Sequence, residues 1–246
     1  MNKPLAVLLS LAPLFALAQT AAPDRFVGEI GAMGVSSNAI VKGASGSTSA
    51  LPYVYGDWGR FYARVDTLGT KVMPLGEGHL ELALRVSTEG YRASQTANPD
   101  TGDRSAPLPI GVGTFQRTAL GGVFAYAMHD PRSGGQFAEL NWAGRLELGD
   151  IKLYPQLGAQ YRSANYVRHL YGISSAQAQA SGLSAYQPGD ALSPMATLQA
   201  AVPLKGPWSL QLQTRYRRFG DAESRSPLVK GSGQVSGFAA LTYTLN

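Results

Sequence analysis

The sequence predicts an all-β fold: a transmembrane, antiparallel β-barrel of the outer-membrane type with about twelve strands, ten being the alternative. Segment after segment alternates apolar and polar residues, as in 80–87 and 208–217. A period of two indicates strands, because successive side chains point to opposite faces. An export signal at the N-terminus and long connections on one side of the candidate sheet indicate that the apolar face meets lipid.

The first residues have the features of a secretory signal. Lys3 precedes an almost wholly apolar run, 5–17, which closes on the small-x-small sequence at 16–18. The run is too short to span a membrane as a helix. We therefore predict a cleaved signal peptide at 1–18 and a single barrel domain at 19–246, located in the outer membrane of a Gram-negative cell.

The composition excludes several classes of function. The chain has no cysteine, so it has no thiol nucleophile, thiolate metal site or lipoprotein anchor. The formal net charge of +5 is a mild excess, and only 15% of the residues are charged, which does not point to nucleic acid. We expect no metal and no cofactor, since neither a His/Cys cluster nor a calcium-loop pattern is present.

Candidate strands cover most of the chain after residue 24, separated by turn-forming residues. The three between 51 and 74 are short. The twelve segments are 25–35, 51–56, 60–67, 70–74, 78–91, 116–128, 136–148, 151–162, 165–171, 195–204, 208–219 and 235–245.

Four connections are long and rich in Gly, Ser, Pro, Asn and Asp: 36–50, 92–115, 172–194 and 220–234. They follow the first, fifth, ninth and eleventh candidate strands. All four are odd-numbered, so they share one side if the N-terminus starts on the periplasmic side. Bacterial barrels have short periplasmic turns and longer external loops.

The two faces of single strands agree with a barrel. In 151–162, Leu153 and Leu157 lie on one face, and Lys152 and Gln156 on the other. A soluble sandwich also alternates, but large charged residues on the polar face favour a wet lumen. Aromatic residues on the apolar face lie near strand ends, as interfacial girdles do. They are Tyr161, Trp208, Tyr216 and Tyr243.

The last strand has the alternation that barrel-assembly machinery reads. Ala239, Leu241, Tyr243 and Leu245 occupy alternate positions, and the chain ends at Asn246 rather than at an aromatic residue. The register fits if Leu245 serves as the terminal apolar residue.

Two segments carry a family resemblance. Residues 171–186 read Tyr-Gly-Ile-Ser-Ser-Ala-Gln-Ala-Gln-Ala-Ser-Gly-Leu-Ser-Ala-Tyr, and residues 220–229 read Gly-Asp-Ala-Glu-Ser-Arg-Ser-Pro-Leu-Val. Both resemble motifs of the MipA/OmpV family, in the same order, and cover about 26 residues. The N-terminal half matches mainly in its strand pattern. The matched positions are Tyr171, Gly172, Ser174, Gln177, Ser181, Gly182, Leu183, Tyr186, Ser226 and Pro227.

The resemblance implies an outer-membrane barrel and two kinds of activity. Family members include a scaffold that contacts a lytic transglycosylase and a murein synthase, and others are described as porin-like or uptake proteins. The matched residues are family markers, so the resemblance implies no catalytic role for them.

The first motif contains helix signals. Ala and Gln are tolerated in helices, so 175–183 is predicted as a short helix that Ser174 or Ser175 caps and Gly182 ends. Our hypothesis is that this loop folds over or into the barrel mouth and narrows it. The alternative is a plain surface loop.

Alternation places charges of both signs in the lumen. They either pair across strands and brace the wall, which we favour, or line a narrow, weakly anion-preferring pore. The strongest lumen candidates are Arg64, Glu81, Arg85, Glu139, Arg145, Arg162 and Arg215. Further inward positions are Asp66, Glu147, Lys152 and Arg217.

We expect the chain not to be an enzyme. Its histidines are His79, His129 and His169, and only His169 has nearby serines, Ser174 and Ser175. That spacing matches no hydrolase signature that we would expect of an outer-membrane enzyme.

Two functions therefore stand. The first is a scaffold whose periplasmic turns, including 129–135, bind a periplasmic murein hydrolase or synthase. The second is a small porin-like channel for solutes. The expected partners are outer-membrane lipid and that murein enzyme. The sequence does not indicate the oligomeric state.

Overall fold

The computed structural model describes residues 24–246, which fold into twelve antiparallel strands. The predicted signal peptide, 1–18, lies outside the described residues. The strands are β1 (Val27–Ser37), β2 (Ser47–Trp58), β3 (Phe61–Arg64), β4 (Thr67–Leu75), β5 (Gly78–Arg85), β6 (Ile110–Thr118), β7 (Gly121–Asp130), β8 (Gly135–Ala143, continued in register by Leu146–Leu148), β9 (Ile151–Arg162), β10 (Ala191–Pro203), β11 (Trp208–Arg218) and β12 (Gly233–Leu245).

The sheet closes on itself. Each strand pairs with the next one along the chain, and β12 pairs with β1 from Gly28↔Leu245 to Ser37↔Ser236. This confirms the predicted closed, twelve-stranded antiparallel barrel. Closure gives every strand a paired neighbour on both sides.

The two ends of the barrel differ as the sequence predicts. The long connections 38–46, 86–109, 163–190 and 219–232 all emerge at one end, which we call the mouth. The other end, the base, carries the first and last residues that the structure describes and the short turns 59–60, 76–77, 119–120, 149–150 and 204–207.

Side chains alternate between lipid and lumen. On β11, Leu210 and Leu212 point outward, whereas Gln211 and Gln213 line the lumen. Outward-facing aromatic residues lie near both ends of the wall, as in the interfacial girdles of barrels. Those near the base are Trp58, Phe61, Trp208 and Tyr243, and those near the mouth are Tyr161 and Tyr216.

Two strand predictions are wrong. Residues 165–171 form a helix, α1 (Ala164–Tyr171), whose buried side chains at 166, 167, 170 and 171 follow helical spacing. The segment 116–128 contains parts of two strands, β6 and β7, because the chain turns at 119–120 and Gly121 takes a φ of 129°. The two errors cancel in the strand count.

The second error reverses the position of one connection. The turn between β7 and β8, which lies within 129–135, is at the mouth and not at the base. Its predicted role as a periplasmic docking turn is therefore wrong.

Short helices occur only in the mouth connections of the described chain. They are α1, α2 (Ser175–Ser181), α3 (Asp221–Ser224) and two single 3₁₀ turns, Ala93–Gln95 and Pro99–Thr101. Within residues 24–246, no helix is long and apolar enough to cross a membrane.

Candidate functional site

The mouth is filled by a folded plug, which we define as the four mouth connections 38–46, 86–109, 163–190 and 219–232. Its apolar side chains pack with inward-facing residues of the wall into one buried cluster. Val167 and Leu170 are fully buried in it. The plug members of the cluster are Ile40, Val41, Tyr166, Val167, Leu170, Tyr171, Phe219 and Val229.

Helix α1 is held at both ends. The backbone N–H of Ala164 donates to Asp190 Oδ1 at 2.7 Å, which satisfies a free donor at the helix start. The Tyr91 hydroxyl donates to the carbonyl of Leu170 at 2.9 Å near the helix end. The segment 86–109 is thereby joined to 163–190 across the mouth.

Helix α2 has the predicted caps. Ser174 Oγ accepts from the backbone N–H of Gln177 at 3.2 Å, and Gln177 Oε1 accepts from the N–H of Ser174 at 3.0 Å. Gly182 ends the helix in the left-handed region with a φ of 73°. Because Ser181 is its last residue, the helix is shorter than predicted, but the predicted capping residues are confirmed.

The structure brings the two family motifs together. Ser226 Oγ donates to the carbonyl of Tyr171 at 2.7 Å, and the Tyr186 hydroxyl donates to the carbonyl of Ala222 at 3.0 Å. Ser226 and Tyr171 are buried, and Gly172 follows as the C-cap of α1. The marker residues Leu183 and Pro227 are half-buried beside them.

The first motif is buried at its start, 171–173, and exposed in helix α2. Residues 175–181 have no buried side chain and rest on the 3₁₀ turn Pro99–Thr101, where Gln177 Nε2 donates to the carbonyl of Thr101. Residues 166–173 supply the buried contacts instead.

Four charged residues tie the plug to the wall. Arg162 on β9 and Arg217 on β11 meet Glu89 and Glu223 of the plug. Arg162 lies 2.8 Å from Glu89 Oε1 and 2.9 Å from Glu223 Oε1. Arg217 lies 3.1 Å and 3.0 Å from the same two atoms. The two positive and two negative charges sum to zero. We call these four residues the mouth ion cluster.

The environment of Glu223 favours its charged form. Burial alone would raise the pKa of the Glu223 carboxyl, but the Arg162 and Arg217 guanidiniums hold that pKa below its ordinary value. Ser193 Oγ and the backbone N–H of Gly220 also donate to Glu223 Oε2. The same two arginines overcome burial and lower the pKa of Glu89.

A cavity of about 530 Å³ occupies the lumen below the plug. Its lining is rich in amide and tyrosine side chains, among which are Asn141, Gln156, Gln199, Gln213 and Tyr154. Of the seven strongest lumen candidates, five border this cavity: Arg64, Arg85, Glu139, Arg162 and Arg215. The other two, Glu81 and Arg145, lie elsewhere. Of the four further inward positions, Asp66 and Arg217 border the cavity, whereas Glu147 and Lys152 do not.

Glu81 is buried on β5, opposite Lys71 of β4 in the ladder. Arg145 lies at the rim of the base, more than half exposed, and pairs with Glu147 at 2.5 Å.

Most lumen charges near the cavity are paired across strands. Arg85 Nη1 donates to Glu139 Oε2 at 2.6 Å, and Gln160 donates to the same oxygen at 2.8 Å. Nearer the base, Arg64 pairs with Asp57 at 2.9 Å. These contacts fit the interpretation that charges brace the wall.

Arg215 differs from the other lumen arginines. Its Nε donates to Thr197 Oγ1 at 3.2 Å, and no carboxylate of residues 24–246 lies within 4.0 Å of it. The lumen therefore keeps one guanidinium that no acidic side chain of the described chain neutralises by direct contact.

Sequence reasoning missed the acidic half of the mouth ion cluster. Glu89 falls inside the predicted strand 78–91, and Glu223 falls inside the second motif. For Glu223 a signal was present, since an acidic residue three positions after Gly220 is a helix-start pattern. For Glu89 no local signal marks the contact with Arg162, 73 residues away.

The candidate Ser–His pair does not form. His169 Nε2 lies 2.9 Å from the carbonyl oxygen of Ser105 and 3.4 Å from Ser105 Oγ, on the exposed surface of the plug. Ser174 is engaged in capping α2 instead.

Comparison with known proteins identifies relatives over nearly the whole chain. The family described as "MltA-interacting protein MipA" matches residues 30–245. The outer membrane protein YiaT of Escherichia coli K12 is 28% identical over 227 residues, which cover 89% of this chain and 92% of YiaT. The MltA-interacting protein of the same strain is 34% identical over 145 residues, 57% of this chain and 58% of that protein.

A solved barrel also aligns with the chain. The crystal structure of Pseudomonas aeruginosa OccK11 (OpdR) aligns with a TM-score of 0.31 and 9% identity, covering 93% of this chain and 99% of that one.

Proposed function

This chain belongs to the MipA family, and we propose that it is a closed outer-membrane barrel that serves as a scaffold for a peptidoglycan-remodelling enzyme. Relatives in this family are named outer membrane proteins, and one is named for its interaction with MltA. The chain is an outer-membrane β-barrel protein, and its family is not one of known enzymes. The scaffold role is the part that we propose.

The closed mouth carries this proposal. A diffusion pore needs a continuous aqueous path, whereas here the plug packs into a common apolar cluster with the wall. The mouth ion cluster also ties the plug to β9 and β11 by buried pairs. A barrel whose mouth holds a packed plug suits an anchor better than a channel.

A scaffold for a periplasmic enzyme must bind it at the base, because the base carries the short turns that face the periplasm in bacterial barrels. The base turn 119–120 exposes Leu120, whose accessibility of 78% is the highest among the exposed large apolar residues of the described chain. An apolar side chain at the tip of a turn is available for a partner to bury. We propose that Leu120 is part of the docking surface.

A pull-down tests the scaffold role. The purified barrel, immobilised in detergent, is expected to retain a purified lytic transglycosylase of the MltA type. Leu120→Asp should weaken retention at least about tenfold, which is the loss of one well-buried contact of about 1.4 kcal/mol. Leu183→Asp, a leucine change on the plug, is the matched control and should have no effect. No retention by the unchanged barrel, or equal loss in both variants, would refute the scaffold proposal.

A small channel is the second candidate. The observation that favours it is the cavity itself, with Arg215 free of a carboxylate partner. In this case the plug must move before ions pass, and the current should be anion-preferring. Planar bilayer recordings decide between the two roles: steady open steps at neutral pH support the channel, and a silent membrane supports the scaffold.

A further inference from the structure

The barrel wall is incomplete at the mouth end of β3–β6. These strands have 4, 9, 8 and 9 residues, whereas β9 to β12 have 12, 13, 11 and 13. All strands begin or end at the same base, so the shortfall lies toward the mouth. We call the resulting gap the notch.

The tall side of the notch is the edge of β2. On the side of β3, the last contact of β2 is the backbone bond from Val65 N–H to the Val54 carbonyl. The seven residues 47–53 extend beyond it, about 23 Å at about 3.3 Å per residue. They pair only with β1.

This edge has free backbone groups. Antiparallel pairing turns the N–H and C=O of alternate residues to the same neighbour, so Thr48, Ala50 and Pro52 point theirs toward the notch, as Val54 does. Within residues 24–246, no backbone hydrogen bond satisfies them on that side. Open edges of this kind do not face hydrocarbon directly, since each unpaired group costs several kcal/mol. The notch must therefore border a polar space.

That space is the lumen cavity. Ser49 and Leu51 line it from β2, Val65 lines it from the β3–β4 turn, and Val86 and Thr88 line it from the segment that leaves β5. These five residues are the lip of the notch. Val86 is 50% exposed, and it lies where the cavity adjoins the gap in the wall.

The notch lies at the level of the outer membrane interface. Ser49 is the third residue from the mouth end of β2, and the outward-facing Tyr216 is the third from the mouth end of β11. Exposed aromatic residues of barrels mark the boundary between lipid tails and headgroups. A molecule that enters the notch comes from the outer leaflet.

We propose that the notch is a lateral portal through which an outer-leaflet amphiphile with a hydroxyl-rich head, such as a sugar, reaches the lumen. The plug packs against the wall at the mouth, and the notch offers a separate route from the side. The lip supplies apolar contacts from Leu51, Val65 and Val86 for an alkyl chain.

The cavity fits the polar head of such a molecule. Its amides and tyrosines donate and accept hydrogen bonds, as hydroxyl groups require, and most of the charged side chains that border it are held in ion pairs. Its volume of about 530 Å³ is within the range of small-ligand sites, and it is too small for a whole multi-chain lipid. The alkyl chain would stay in the notch.

The edge of β2 disfavours a protein strand as the occupant. Pro52 has no N–H to donate, and proline on an exposed edge is a common obstacle to strand addition. A small amphiphile needs no continuous ladder.

Equilibrium binding of n-dodecyl-β-D-maltoside to the intact protein in phospholipid nanodiscs tests the portal. We expect one saturable equivalent above the partitioning measured in empty nanodiscs. Ser49→Trp, which fills the lip, should weaken binding at least about tenfold, or about 1.4 kcal/mol. Thr48→Trp, its outward-facing neighbour, is the matched control and should bind normally.

A second blocking variant and two ligand controls complete the experiment. Thr88→Trp replaces Ser49→Trp if the latter loses heat-modifiable gel mobility and so is not folded. Maltose alone and dodecylphosphocholine, which lacks hydroxyls, should compete poorly. Purely non-saturable uptake, full binding in the blocked variants, or equal competition by maltose would overturn the portal. The scaffold test at the base is unaffected by any of these results.

Discussion

Arg162 Nη1 on the barrel wall donates to Glu223 Oε1 of the plug at 2.9 Å, and both side chains are almost fully buried. The two residues are 61 positions apart. Arg217 and Glu89 complete the same cluster, so each wall cation contacts both plug anions. The plug is therefore fixed to the wall by charges that water does not screen.

Glu223→Gln should loosen the plug. The amide keeps the volume of the side chain but leaves Arg162 and Arg217 with an uncompensated buried charge, which typically costs about 3–5 kcal/mol. Denaturant unfolding of the barrel in detergent measures the loss. Asp221→Asn is the matched control: its pair with Arg225 is exposed, so the expected change is below about 1 kcal/mol. Equal effects of both changes would contradict the role given to the cluster.

The plug should be acid-sensitive. Glu89 and Glu223 have pKa values below the ordinary value of 4.5, so their charged forms stabilise the folded state fully above about pH 4.5. This stabilisation is lost as the pH falls through the lowered pKa values. Limited proteolysis of the mouth connections should therefore accelerate only below about pH 4.5. In Glu223→Gln the acid-dependent part should shrink, and an unchanged pH profile in that variant would count against the assignment.

The wall could be predicted from the sequence because its signal is local. Side chains of a strand alternate with a period of two, so Leu212 and Gln213 are assigned to opposite faces by position alone. The four long connections and most of the short turns are rich in turn-forming residues, so the sequence places them at the correct ends. The turn 119–120 lacks this signal, so the sequence does not predict it and assigns the turn after β7 to the wrong end.

The plug could not be predicted in the same way. Tyr166 and Leu170 have helical spacing, but over eight residues an apolar helix and a buried strand look alike. The partners of the lumen charges are set by the closure of the barrel, which brings Arg85 to Glu139 over 54 positions. No local sequence pattern indicates a contact between residues that lie so far apart in the chain.

The sequence also does not predict how short the strands beside the notch are. Residues 86–91 continue the composition of β5, but the chain leaves the wall after Arg85, and Glu89 pairs with Arg162 and Arg217.

Ser174→Ala should unfold α2 without disturbing the wall. It removes the side-chain acceptor for the Gln177 N–H and one half of the capping box, a loss of about 1 kcal/mol. Hydrogen exchange of the Ala178 amide, which bonds to the Ser174 carbonyl, should become faster. Ser184→Ala, outside the helix, should leave this rate unchanged. If Ala178 keeps its protection in the capping variant, the cap does not hold the helix.

Arginine substitutions on β11 distinguish its two faces. Leu212 is exposed on the outer surface, next to Ala239 and Ala200 of the neighbouring strands, so Leu212→Arg places a cation in lipid. Near the membrane midplane this costs about 2–4 kcal/mol, and barrel assembly should fail. Gln213→Arg points into the wet lumen and should be tolerated. Heat-modifiable mobility of the two variants after membrane fractionation measures assembly. A folded Leu212→Arg barrel together with an unfolded Gln213→Arg barrel would mean that the faces are assigned the wrong way round.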